Sequence, residues 1–170
     1  QLDLPTEEYL RIIEAKTAAL FEAASESGAV CADAPEEQVR AMQAYGKNLG
    51  LAFQLVDDAL DYGGTTSVIG KSVGDDFREC KITLPIVIAR RRGSADDKVF
   101  WDRALNPETQ EDSDLAHAIH LIRSTGAAKD TLAEARSYVE IAKKSLQALP
   151  ASPYRDALSS LADFCVDRAY

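Results

Sequence analysis

The chain is short of basic charge: 19 Lys and Arg stand against 28 Asp and Glu, for a formal net charge of −9. Such a chain lacks the positive field that gathers nucleic acid or an anionic membrane surface, so any phosphate site has to be local. Cysteine is scarce as well. Cys31, Cys80 and Cys165 are odd in number and widely spaced, which excludes a disulfide framework and a CxxC metal pair and fits a reducing cytoplasm. No apolar run approaches the roughly 18 residues that span a bilayer, and no charged segment precedes an apolar one as in a signal peptide, so a soluble protein is expected. Repeats of fixed period and low-complexity tracts are missing too. The first residue is Gln1 rather than Met, and a helical pattern is under way by Tyr9. Preceding sequence is therefore expected to lie outside this chain.

What is present is a core. At 46% hydrophobic over 170 residues, the chain can bury one apolar interior, and a single domain over 1–170 is expected. Residues 6 to 28 place Leu10, Ile13, Thr17, Leu20 and Ala24 at helical spacing, with Thr6 to start the helix and Gly28 to end it. A longer helix follows from 35 to 62, with Glu36 and Glu37 in its first turn and a stripe of Val39, Met42, Gly46, Leu49, Phe53, Val56 and Leu60. Residues 63 to 80 break the pattern with Gly63, Gly64, Gly70 and Gly74 around Lys71, and an irregular stretch of that length usually has a function. Helices are predicted over 83–92, 96–105, 114–125, 127–149 and 153–169, punctuated by Gly93, Asn106-Pro107, Gly126 and Pro150. The fold class is an all-α helical bundle.

Three carboxylates, Asp57, Asp58 and Asp61, close the long helix. They sit at its C-terminal end, where the helix dipole disfavours negative charge, so cations or solvent must compensate them. At about 100° per residue Asp57 lies roughly 60° from the centre of the apolar stripe, Asp61 about 100° and Asp58 about 160°, so Asp57 is expected to point inward. An oxygen-only donor set without His or Cys suits a hard cation such as Mg²⁺, which bridges carboxylates to substrate phosphates, and suits zinc poorly. A solvated acidic helix end is the alternative for the motif taken alone. Lys16 lies about 80° from the centre of its helix's apolar face, where a lysine either reaches solvent or meets an anion. Lys71, in its glycine-bearing loop, is better placed for a phosphate.

Four segments in order carry a resemblance: Lys16-Thr17-Ala18-Ala19-Leu20-Phe21, then Phe53 to Asp61, then Gly70-Lys71, then Lys81-Ile82-Thr83-Leu84-Pro85. Together they resemble the trans-isoprenyl (polyprenyl) diphosphate synthases, over about residues 9 to 89, with a looser likeness to bacterial long-chain members beyond. The resemblance implies the C-terminal portion of the isoprenoid synthase fold and a Mg²⁺-dependent prenyltransferase. Such an enzyme condenses an allylic diphosphate with isopentenyl diphosphate, here to an octaprenyl or decaprenyl product for quinone side chains. It further implies that Asp57, Asp58 and Asp61 form the second Asp-rich motif and hold Mg²⁺, with Asp57 the direct ligand. Lys16, Lys71 and Lys81 would clamp the diphosphate, Thr17 and Gln54 would add hydrogen bonds, and the 63–80 loop would close over the site. A cytoplasmic homodimer is implied as well.

The family's first Asp-rich motif is missing, since Asp75-Asp76 and Asp96-Asp97 each lack a third carboxylate. The chain is therefore expected to be the C-terminal half of a longer enzyme and inactive alone. A non-catalytic, diphosphate-binding subunit of a heteromeric synthase is the alternative. At Cys80 relatives more often carry Gly or Arg. His117 and His120 are expected to be structural, Trp101, Tyr138, Tyr154, Phe164 and Tyr170 to be core or interface packing, and Arg90 to Arg92 a solvated helix end.

Overall fold

The computed structural model describes residues 3–63 and 73–167; Lys71 and most of the loop around it lie outside them. Among the described residues every regular element is helical. A helix α1 (Thr6–Ile13) passes through a π turn (Glu14–Ala18) into α2 (Ala19–Cys31), and α3 runs Glu36–Gly63. After the short α4 (Asp75–Arg78) come α5 (Leu84–Arg92), α6 (Ala95–Ala104), α7 (Asp114–Ser124), α8 (Ala127–Ser145) and α9 (Pro153–Asp167), with a 3₁₀ turn at Leu146–Ala148. Among the described residues no helix is long and apolar enough to cross a membrane.

Residue contacts divide the chain into two compact units. The first joins residues 1–9 to 57–132. Its core holds Phe77, Leu84, Ile86, Trp101 and Ile122, with Trp101 edge-on to Phe77 at 6.4 Å between ring centroids. The β-branched run Ile86, Val87 and Ile88 is buried inside α5. Pro85 falls in the first turn of α5, where its missing N–H costs no hydrogen bond. Ser94 and Asp97 start α6 with reciprocal side-chain to backbone bonds.

Arg90 is not part of a solvated end: its side chain is covered and bonds Asp102 at 2.9 Å and also Asp3. Arg92 is held by Asp130 at 2.5 Å. His117 packs edge-on to Phe100 at 4.5 Å, as befits a structural residue.

Asp114, buried at the start of α7, accepts from Arg103 and from the Glu111 N–H at 2.8 Å. These bonds, led by Arg103, hold its carboxyl below the usual carboxylate range. A depressed folded-state value means a stability contribution fully present above about pH 4 and lost as pH falls through the lower, folded-state value. Asp114→Asn should therefore lower the urea midpoint at pH 6 and flatten its decline on acidification. An unchanged slope would show that the pair is idle.

The second unit joins residues 10–56 to 133–170. Its core is built on Tyr45, Leu49, Ala52, Leu55 and Val56 of α3, with Val139, Leu146 and Val166. Tyr45 donates to the Leu158 carbonyl at 2.8 Å, and burial pushes its phenol up to about 12. Tyr154 and Phe164 are exposed rather than core residues.

Two expectations about the first helix fail for local reasons. Leu20, placed on the buried face by a uniform helical phase, is 75% exposed, and α2 buries none of its residues. The π turn is the cause: the Ala19 N–H bonds the Glu14 carbonyl five residues back, which inserts a residue and shifts the phase of everything after it. Nor does Gly28 end the helix, which continues to Cys31. A Cβ at Gly28 would meet nothing within 4 Å, so Gly28→Ala is expected to add about 0.5–1 kcal/mol through helix propensity. A calorimetric Tm that falls instead would contradict this placement.

Candidate functional site

The three carboxylates of α3 arrive differently from the order of the helical wheel. Asp58 is 2% exposed and Asp61 9%, whereas Asp57 is half-buried. The inward pointing expected of Asp57 is thus corrected in favour of Asp58 and Asp61. The reason lies in where α3 is covered. Its buried residues include Leu49 and Val56 of the predicted stripe and, beside that stripe, Ala41, Tyr45, Ala52, Leu55, Ala59 and Tyr62, while two of the stripe's members, Phe53 and Leu60, are only half-buried. A helix covered on more than one side has no single wheel direction by which its carboxylates can be ranked.

In the first unit a second segment meets these acids. The Gly74 N–H bonds the Asp61 carbonyl at 2.9 Å, and the Asp76 N–H bonds Asp61 Oδ2 at 3.1 Å. Burial, and next the charge of Asp76, push the Asp61 carboxyl up to about 6, against the pull of the Asp76 and Asp75 N–H groups. The Lys81 ammonium reaches Asp76 Oδ1 at 3.1 Å and Glu79 Oε2 at 2.6 Å, and these two carboxylates raise its pKa further above the lysine range. Cys80, between them, has φ of 53°. That left-handed backbone is the conformation glycine takes without cost.

Tyr9, fully covered on α1, donates its hydroxyl to Asp58 Oδ2. The buried Tyr62 hydroxyl and Thr83 Oγ1 lie close together but outside hydrogen-bond geometry. Burial drives the Tyr62 phenol far above its ordinary value, reinforced by the charges of Asp61, Asp76 and Asp58.

The second unit holds Lys16, Thr17 and Gln54. Thr17 Oγ1 donates to Gln54 Oε1 at 2.7 Å, and Lys16 is exposed. Both Lys16 and Thr17 fall on the π turn, a distortion that recurs at functional sites. Two glycines of α3 let that turn come close. A Cβ on Gly50 would stand 2.6 Å from Ala18 Cα, and one on Gly46 would strike the Phe21 carbonyl. Lys47 adds an ion pair to Glu14 at 2.6 Å, and the Phe21 and Phe53 rings pack at 5.4 Å.

A metal is tested here by its donors. Among the described residues no set of three or more His, Cys, Asp or Glu is arranged to hold a metal ion unaided. Mg²⁺ asks for less, since it commonly takes one or two carboxylates and completes its shell with water and substrate phosphate. Asp58 and Asp61, all-oxygen and largely withdrawn from solvent, fit that demand. Sequence reasoning overlooked Tyr9 and set Asp76 aside for want of a third carboxylate. The signal for Asp76 was present in Gly74-Asp75-Asp76, a helix start five residues before Lys81.

An all-α fold with carboxylates buried at the end of its longest helix is the class these observations define. Residues 1–122 match the family model described as polyprenyl synthetase, and the chain belongs to that family. The octaprenyl diphosphate synthase of Haemophilus influenzae is 38% identical over 162 residues, covering 95% of this chain and 49% of that protein. Among solved structures, a decaprenyl diphosphate synthase from Rhodobacter capsulatus superposes with a TM-score of 0.92 at 44% identity, covering 100% of this chain and 52% of that one. A polyprenyl synthase from Caulobacter crescentus CB15, complexed with calcium and isoprenyl diphosphate, gives 0.94 at 49% identity, with 100% and 52% covered. The chain spans about half the length of the curated relatives it matches.

Proposed function

We propose that this chain is the C-terminal half of a single all-α domain in a Mg²⁺-dependent trans-prenyltransferase, which condenses an allylic diphosphate with isopentenyl diphosphate. The observation that carries the reading is the pair of buried carboxylates Asp58 and Asp61 on α3. The calcium and isoprenyl diphosphate named for the 49% identical Caulobacter structure support it. Long products of the octaprenyl or decaprenyl kind, for quinone side chains, are the preferred outcome, and relatives bearing those names support that length. A cytoplasmic homodimer completes the proposal.

In this reaction the allylic C–O bond ionises, pyrophosphate leaves with the bonding pair, the isopentenyl double bond attacks the allylic carbon, and the adduct loses a proton. Mg²⁺, when bound, would supply positive charge where negative charge gathers on the leaving group. Asp58 and Asp61, with Asp57, would hold it. Lys16, Lys71 and Lys81 bring cations for the diphosphate oxygens, acting where charge develops. Lys81 would first have to loosen its bonds to Asp76 and Glu79. Thr17 and Gln54 form a neutral polar pair, able to orient a polar atom or receive a proton without adding net charge. The apolar helices keep water from the allylic cation, which would otherwise be hydrolysed.

The test is incorporation of labelled isopentenyl diphosphate by the full-length protein with Mg²⁺ and an allylic primer, with product length read by mass spectrometry. Absence of any prenyl product would overturn the assignment. An intact mass of the native protein near twice that of this chain separates the enzyme from a short, non-catalytic subunit.

A further inference from the structure

We infer that Tyr9 is a positioning residue for the metal-binding carboxylate Asp58, an inference that rests on the function proposed above. The two residues are 49 positions apart and meet through one hydrogen bond, Tyr9 hydroxyl to Asp58 Oδ2. Both are withdrawn from solvent, Tyr9 at 3% exposure and Asp58 at 2%. At that exposure the tyrosine ring is covered along with its hydroxyl, so its position is set by the protein interior rather than by solvent.

The Tyr9 phenol contributes a neutral O–H bond, which orients the carboxylate without itself cancelling any of its charge. Burial lowers the local dielectric, which strengthens both that bond and the field felt by an incoming cation. A tyrosine also has only two torsions to fix, and here packing fixes them, so the carboxylate plane is set in advance rather than on binding. Groups that orient a ligating side chain in this way commonly affect metal affinity about as much as a ligand's own neighbours do, at roughly 10–100-fold.

The discriminating variant is Tyr9→Phe in the full-length protein, which removes the hydroxyl and keeps the ring. Half-saturation by Mg²⁺ should rise about tenfold, with kcat recovered at saturating Mg²⁺ and KM for the allylic diphosphate raised at limiting Mg²⁺. Calorimetric binding of Mg²⁺ together with inorganic pyrophosphate should weaken by a similar factor, a readout independent of turnover. In an Asp58→Asn background Tyr9→Phe should add nothing further. A lowered Tm with Mg²⁺ dependence unchanged would reduce Tyr9 to a packing residue and overturn the inference. So would a tenfold effect that persists without Asp58, or a wild-type protein that does not bind Mg²⁺ with pyrophosphate. A wild type that binds them without prenyl transfer overturns the proposed reaction alone, and the Tyr9→Phe binding comparison still decides the role of Tyr9.

Discussion

Asp58→Ala or Asp61→Ala in the full-length protein is expected to lower kcat/KM for prenyl transfer by about 10²–10³-fold, the usual scale when a preorganised charge-stabilising group is removed. Both side chains are shielded from water, so a cation held there faces little competition from solvent. Their conservative variants should separate function from stability. Asp61 is destabilised as an anion by burial and by Asp76, so Asp61→Asn should raise the Tm of the metal-free protein while still lowering activity. That combination is the mark of a functional residue kept at a structural cost. Asp57→Ala belongs in the same assay, because its half-buried position makes it the carboxylate whose share is least set by burial. Wild-type kcat/KM in both the Asp58 and Asp61 variants would sink the metal assignment.

Gly50→Leu is expected to prevent folding of the second unit, and Gly50→Ala to lower Tm by several degrees. The nearest neighbour of a Cβ at this position is the backbone of Ala18, which cannot swing aside as a side-chain tip could. Overpacking of this kind costs about 1–3 kcal/mol, against about 0.5–1 kcal/mol that alanine returns in helix propensity. At roughly 2–4 °C per kcal/mol for a chain of this size, the net loss is measurable by calorimetry. Activity should fall as well, since Ala18 follows Thr17 and Gln54 lies one turn beyond Gly50. Pushing the π turn outward lengthens the 2.7 Å bond between Thr17 and Gln54. A Gly50→Ala protein with unchanged Tm would mean that the two segments are less tightly apposed than described.

Much of the fold was legible because its punctuation is local. Pro35, Gly93, Gly126 and Pro153 mark element ends by backbone chemistry alone, and the helices run between them. Which face of each helix turns inward was less legible. A helical wheel assumes one phase and one buried side. The π turn violates the first assumption without any compositional signature, and α3 violates the second by burying Tyr45, Ala52 and Tyr62 beside its predicted stripe. The Asp motif itself was visible, while its setting was not. Tyr9 and Asp76 reach it from positions 49 and 15 residues away, distances at which spacing rules carry no information.

A π turn is one residue more than an α-helix of the same axial length requires. Deleting Ala15 would offer the chain a continuous α-helix from Thr6 onward at nearly the same length. The side chains from Ala19 to Cys31 would keep their aim, because the deleted residue is the one the turn absorbs, and only the turn that carries Lys16 and Thr17 would be rebuilt. The same deletion made within α2, where no turn absorbs it, would swing everything beyond it by about 100°.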